Sequence, residues 1–257
     1  MRSATKYLLS VGLLSLGTLS LTASCADNNS SLFVVGVIDI DATSCLAKAD
    51  TTASFLASGT MDYAFTNSYT ASVLVGNQLT QRGDHDTLRT ETSRISLRGA
   101  EVTLTTLDGH ELGHYSTVGT GFVDASAGDV PSYASMAVNL IPPTLGASAT
   151  VRNAKVVLAK IRVFGDSLGN ASITSSELDF PINICDGCLV TYPADAADPL
   201  SSTYLCSQAA TTTQTTDVAA CVQGQDAKFA CTFCSAAYDI CRDPSKNPSY
   251  SSAMTSP

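Results

Sequence analysis

The chain has no tryptophan, only 3 histidines, and charged side chains at just 14% of its 257 positions. Each shortage excludes something. The 14 lysines and arginines are scattered rather than clustered, against 23 acidic residues, for a net charge of −9. Neutralising a phosphate backbone needs grouped cations, so a nucleic-acid partner is not expected. Beyond the N-terminal leader no apolar run approaches the roughly 20 residues that span a bilayer as a helix. The sequence contains no Gly-x-Ser-x-Gly nucleophile elbow and no phosphate-cradling glycine loop. No segment carries a convincing 3.6-residue apolar repeat. Thr, Ser, Ala, Val and Gly dominate instead, which favours strands and turns over long helices.

The first 25 residues give the chain an address. Arg2 and Lys6 precede the uncharged run 8–21, followed by Thr22, Ala23, Ser24 and Cys25. Positive start, apolar centre and small residues make residues 1–24 a secretory signal peptide. The Ala23-Ser24-Cys25 end resembles a bacterial lipoprotein signal, with Thr22 where a larger aliphatic residue is usual. That resemblance implies cleavage before Cys25 and lipidation on it, so the membrane is a partner through that lipid. The alternative is ordinary cleavage nearby and a freely secreted protein. Residues 25–31 then form a lipidated cysteine and polar tether. Ala26, rather than Asp, follows the cysteine, which in lipoproteins implies sorting to the outer membrane.

Residues 32–184 read as a run of strands. Apolar or alternating stretches cover 32–40, 53–65, 68–79, 92–107, 132–141, 155–164 and 171–184. In 92–107 the apolar phase slips from odd (Ile95, Leu97) to even (Val102, Leu104), which places a bulge at Gly99. Asp108-Gly109 signals a hairpin turn. In 155–164, Val157, Ala159, Ile161 and Val163 share one face while Lys160 and Arg162 take the other. About eight strands without helical spacing predict an all-β fold, an antiparallel immunoglobulin-like β-sandwich. Residues 185–245 are a cysteine-rich segment, and residues 246–257, rich in Ser and Pro, are expected to be a disordered tail.

Eight cysteines remain after Cys25: Cys45, Cys185, Cys188, Cys206, Cys221, Cys231, Cys234 and Cys241. An even set in an exported chain reads as a disulfide framework. Seven of them lie beyond residue 184 and cannot all pair among themselves, so Cys45 must cross over to the tail. Its partner stays open at this point.

His110-Glu111-Leu112-Gly113-His114 matches the H-E-x-x-H signature of zinc peptidases, in which the histidines bind zinc and the glutamate activates water. The chemistry needs a helix, where residues four apart lie about 5–6 Å from each other. On a strand they stand about 13 Å apart, too far for one zinc with bonds near 2 Å. The preceding 102–107 has strand character, Asp108-Gly109 is a turn, and 115–121 is made of poor helix formers. Thr117 and Thr120 occupy the positions where the longer metzincin pattern has Gly and His. His85 and Glu177 are the remaining candidates for a third ligand. The reading is therefore a hairpin with His110 and His114 at its surface, no catalytic residue and no metal. The alternative is an exported zinc endopeptidase that uses Glu111 with His110 and His114.

Other signals are weaker. Cys185-x-x-Cys188 and Cys231-x-x-Cys234 resemble zinc-ribbon knuckles, but export favours bridges. Neither opens a helix after a strand, as a thioredoxin-like redox pair would. Arg82-Gly83-Asp84 is an integrin-type tripeptide in an expected loop, and Asp39 with Asp41 offers a calcium-type pair at a strand end.

The strings Phe180-Pro181-Ile182-Asn183-Ile184-Cys185-Asp186-Gly187-Cys188-Leu189-Val190, Cys221-Val222-Gln223-Gly224-Gln225-Asp226 and Cys231-x-x-Cys234 resemble the ends of uncharacterised exported lipoproteins of myxobacteria. Segments 70–79 and 88–92 are similar as well. That family carries no assigned activity, so the resemblance implies a location and not a chemistry. The expectation is a cell-envelope lipoprotein that acts as a non-catalytic binding, adhesion or scaffold module for a protein or glycan partner.

Overall fold

The computed structural model describes residues 31–84, 86, 89–202, 204–206, 220–234 and 238–250. The leader, Cys25, His85 and residues 251–257 lie outside them. Among the described residues the chain is built from strands β1 (Leu32–Ile38), β2 (Phe55–Leu56), β3 (Gly59–Asp62), β4 (Tyr69–Asn77), β5 (Ile95–Thr106), β6 (Glu111–Val123), β7 (Ser132–Ile141), β8 (Val156–Ser167), β9 (Ser172–Thr174), β10 (Leu178–Cys185), β11 (Val190–Thr191) and β12 (Phe229–Ala230). Short helical turns fill in: α1 (Pro143–Gly146), α2 (Ala149–Asn153) and α3 (Asp239–Arg242). No helix among the described residues is long and apolar enough to cross a membrane.

Two sheets share one core. The first runs β2-β1-β4-β7; the second runs β3-β10-β8-β5-β6 with β9 beside β8, and curls into a half-barrel. Pairing within both is antiparallel except β3 against β10, which is parallel. The mostly β, disulfide-bonded character expected from composition is thus present. The stretch 53–65, read as one strand, is two short strands in different sheets. The hairpin expected around His110 is present, and its second strand, β6, runs the whole length of β5.

The core is made by alternation. Tyr69, Ala71, Val73 and Val75 of β4 face Val102, Leu104, Val157, Ala159, Ile161 and Val163 of the second sheet, all buried. Each such Val, Leu or Ile side chain withdrawn from water contributes about 1.5–3 kcal/mol. The phase slip in β5 is a bulge at the predicted place: register shifts between Leu97 and Gly99 on both neighbouring strands. A Cβ at Gly99 would stand 2.1 Å from the Thr117 carbonyl oxygen. That oxygen belongs to the strand backbone and cannot swing aside. Gly99→Val is expected to cost about 1–3 kcal/mol, measured as a lower denaturation midpoint at unchanged m-value.

All eight cysteines after Cys25 are bridged: Cys45–Cys221, Cys185–Cys188, Cys206–Cys231 and Cys234–Cys241. Cys45 does cross to the tail. The cysteine-rich segment has its own small core, in which Phe229 is buried and meets Phe65 of the body edge to face at 5.2 Å. Within the stretch expected to be disordered, Asn247 is buried at 1% exposure and its side-chain amide donates to the Gly187 carbonyl at 2.7 Å.

Candidate functional site

A cleft of about 570 Å³ opens where β1 leaves β4. The β1–β4 ladder ends at Ile38 opposite Ser72. Beyond it, residues 39–54 turn outward as a loop, and the Thr70 backbone on that side of β4 loses its strand neighbour. The tail supplies a substitute. The Gln225 amide accepts from the Thr70 N–H at 3.0 Å and donates to its carbonyl at 2.7 Å, as a strand residue would. The Cys45–Cys221 bridge ties the outer loop to the same tail turn, so body and tail form opposite walls.

Asp226 anchors that turn. Its carboxylate accepts from the Tyr69 hydroxyl at 3.0 and 2.9 Å and from the Thr60 N–H at 2.8 Å. Its own N–H returns to the Thr60 carbonyl, and Asp62 N–H donates to Gly224, so 224–226 lies along β3 like a further strand. Asp226 has φ 59, a left-handed conformation that Asp and Asn tolerate better than other side chains. Burial pushes its carboxyl up from the usual carboxylate range, and the nearby charge of Asp39 adds to this against the pull of Thr60, Tyr69 and Gln225. Burial, then the Asp226 carboxylate, raises the Tyr69 phenol well above its ordinary value.

Asp39 is exposed on the cleft wall, and its only hydrogen bond among the described residues is from its backbone N–H to the Ser54 carbonyl. Asp41 faces a different task. Its carboxylate accepts from the Ser44 N–H at 2.7 Å, the Ser44 hydroxyl at 2.8 Å and the Thr43 N–H at 3.1 Å. These bonds, Ser44's first, hold its carboxyl below the usual range and fix the loop that carries Cys45. The expected Asp39–Asp41 pair is therefore split between a wall and a turn. Val37, Ile38 and Ala71 give the cleft an apolar floor. Apolar floor and carboxylate wall together suit a ligand that offers hydrogen-bond donors or positive charge on a hydrocarbon or sugar frame.

The H-E-x-x-H residues lie elsewhere. The Thr106 N–H donates to the His110 carbonyl at 2.9 Å, closing a loop of Leu107, Asp108 and Gly109, with Gly109 at φ 86. That is one residue longer than a two-residue turn, a bulged hairpin of a common type. Glu111 and His114 follow in β6, where the helix a zinc peptidase requires is replaced by strand. His114 Nδ1 shares a hydrogen bond with Thr103 Oγ1 at 2.8 Å. Thr103 stands between His114 and Lys160 across three strands, and Glu177 pairs with Lys160 at 3.2 Å and Arg162 at 3.1 Å. In the order β10-β8-β5-β6, Glu177 just ahead of β10 stands three strands away from His114, at about 4.8 Å per strand. The motif thus starts in the turn and runs out along a strand, with Leu112 packed against the core. Glu111→Gln is expected to change stability by less than about 0.5 kcal/mol, checked by thermal unfolding.

Arg82-Gly83-Asp84 lies in an exposed loop, where the Arg82 and Gly83 N–H groups donate to the Glu91 carboxylate. The ribbon-like cysteines are consumed by bridges: Cys185 pairs with Cys188, while Cys231 and Cys234 pair with Cys206 and Cys241. Cys25 and His85 fall outside the described residues. Among the described residues one group of three ligand-type atoms comes close together, Asp62 with Cys185 and Cys188, within 4.8 Å.

Asp226, Gln225 and Tyr69 escape the sequence reading because their contacts span about the whole domain. A signal was there: Gln225 and Asp226 follow Gly224 in a segment otherwise ruled by cysteine spacing. No protein-family model matches the chain, and no curated protein matches it significantly.

Proposed function

We propose that this protein is an exported, envelope-anchored binding module whose ligand, a protein segment or glycan, occupies the cleft beside the Cys45–Cys221 bridge. The observation that carries this reading is the cleft itself, an apolar floor with an unengaged Asp39 carboxylate on a wall fixed by a covalent staple. Four bridges fit the oxidising setting outside the cytosol. Anchoring through lipid on Cys25, at the outer membrane, follows from the leader sequence. We read the scaffold as immunoglobulin-like; its two largely antiparallel sheets around one core support this, while the second is curled into a half-barrel and the strand order is its own.

Binding rather than catalysis is favoured because the cleft's buried polar groups are committed to one another. Asp226, Tyr69 and Gln225 form a closed set that shapes a wall and holds it. The test is a glycan and basic-peptide array probed with the oxidised mature chain. Asp39→Lys is expected to weaken binding of the array's best ligand at least tenfold, with Tm unchanged, while Glu111→Gln leaves binding as it was. Equal binding by Asp39→Lys and the unaltered protein would remove the cleft from consideration.

A further inference from the structure

We propose that Cys185–Cys188 is an exchangeable disulfide, a site of thiol–disulfide exchange with an exported dithiol, with Asp62 as its proton donor and acceptor. The inference is independent of the cleft.

The four bridges do different work. Their sequence separations are 176, 25, 7 and 3. Closing a loop of three residues removes the least freedom from the unfolded chain, so Cys185–Cys188 contributes least to stability. Its two residues are also reachable. Both are partly exposed, whereas Cys231 and Cys241 of two other bridges are buried at 3% and 2%. The remaining pair, Cys45–Cys221, is accessible but closes the longest loop.

The turn that carries Cys185 and Cys188 is held without the bridge. Asp62 accepts from the Gly187 N–H at 2.7 Å and the Leu189 N–H at 3.0 Å. Asn247 donates to the Gly187 carbonyl at 2.7 Å, and Ser249 to the Asp186 carbonyl at 2.6 Å. Tyr63 N–H donates to the Cys185 carbonyl at 2.9 Å. Gly187 has φ 72, and the Asn247 amide fills the space where a Cβ would sit. Breaking the sulfur–sulfur bond leaves every one of these contacts in place. The two thiols then stay fixed near each other, ready to close again.

Asp62 stands under this pair. It is fully buried, and a carboxylate oxygen lies within 4.8 Å of both sulfurs. Burial, opposed by the Leu189, Gly187 and Ala64 N–H groups, pushes its carboxyl up, and the neighbouring Asp186 charge pushes the same way. The other titratable groups that sense it are the Tyr63 and Tyr192 phenols. Among the described residues no lysine or arginine pairs with it, so it is able to hold a proton that an ordinary carboxylate would have lost.

In the exchange, a thiolate of the incoming dithiol attacks one of the two sulfurs. The Cys185–Cys188 bond breaks, a mixed disulfide forms, and the released thiolate takes the proton of the Asp62 carboxyl. The partner's second thiol gives its proton back to Asp62 and attacks the mixed disulfide. The partner leaves with one disulfide. The second cysteine thiolate takes from water the proton that the first partner thiol had released. Two electrons and two protons pass from partner to this chain.

The test uses the oxidised mature chain with graded dithiothreitol as the dithiol, rapid alkylation, and mass mapping of labelled cysteines. Cys185 and Cys188 are expected to label together, at least tenfold faster than any other pair, with the near-ultraviolet circular dichroism retained. The double variant Cys185→Ser/Cys188→Ser is expected to fold with nearly the same Tm. Asp62→Asn is expected to slow labelling of this pair alone. Because that variant disturbs a buried carboxylate, the unaltered protein provides a second reading: the rate at Cys185–Cys188 relative to Cys45–Cys221 should change with pH as Asp62 titrates. A ratio flat in pH would remove Asp62 from the step. Labelling of this pair last, or only as the fold is lost, would overturn the proposal.

Discussion

Removing the Cys45–Cys221 bridge in the double variant Cys45→Ser/Cys221→Ser is expected to cost about 3–5 kcal/mol, because it frees a loop that spans 176 residues of sequence. For a chain of this size that corresponds to a fall in Tm of roughly 6–20 °C. The native geometry has little to recover in return. Cys45 sits in a loop already fixed by Asp41, and Cys221 precedes a turn already fixed by Gln225 and Asp226. Both ends stay close to where the bridge holds them, so the folded state gains no relief from its loss. The unfolded chain, by contrast, gains the freedom of nearly its whole described length. Thermal and denaturant unfolding of the oxidised variant measure the difference. A loss under about 1 kcal/mol would mean that the tail is held by hydrogen bonds alone and that the staple is incidental to stability.

Asp226→Ala is expected to cost about 3–5 kcal/mol, and Asp226→Asn less than half as much. Alanine leaves the hydroxyl of Tyr69, whose residue is 0% exposed, and the Thr60 N–H without their acceptor. Each orphaned buried group costs about 1–3 kcal/mol. A left-handed φ of 59 adds about 1–2 kcal/mol for alanine, a cost that asparagine largely escapes. Asparagine also keeps one oxygen to accept with. Beyond size, the two buried carboxyls set how stability follows pH. Asp226 and Asp62 both have folded pKa values above the ordinary 3.8. Between that value and the raised one the folded chain holds a proton that the unfolded chain has released. Stability from these groups is therefore full below about pH 4 and is lost as pH rises through the raised values. Exposed carboxylates act in the opposite sense at lower pH. Asp41, held down by Ser44, and Asp166, held down by Arg98 and then Ser172, give up their contribution as pH falls through their lowered pKa values. The protein should thus be more stable at mildly acid pH than at neutrality. Asp226→Asn should flatten that decline. Denaturation midpoints from pH 4 to 8 for both proteins check it; equal slopes would show that Asp226 does not titrate there.

Much of the sheet was legible because strand alternation is local. The odd-to-even slip around Gly99 located a bulge, and the apolar stretch 132–141 coincides with β7. Parity of the cysteines alone sent Cys45 across to the tail. Contacts that join distant segments were another matter. Nothing in 53–65 announces that β3 lies parallel to β10, whose residues pair with it from 123 positions further along the chain. Asp62 reads as a polar interruption of a strand, and only the fold reveals it beneath the turn of Cys185 and Cys188. The cleft was illegible for the same reason, since its walls are 39–54, 69–72 and 221–227. The literal H-E-x-x-H offered the opposite lesson. Five matching letters weighed less than the Asp108-Gly109 turn beside them, because spacing in sequence becomes spacing in space only through the backbone conformation.

Amide hydrogen exchange of the mature, oxidised chain, with and without the best ligand from the glycan and peptide array, tests the central claim most directly. Slowed exchange in 39–54, 69–72 and 221–227 together is the predicted result, since one ligand between the walls would shield all three. Protection confined to the β5–β6 hairpin around 106–114, with the cleft segments unchanged, would contradict the account.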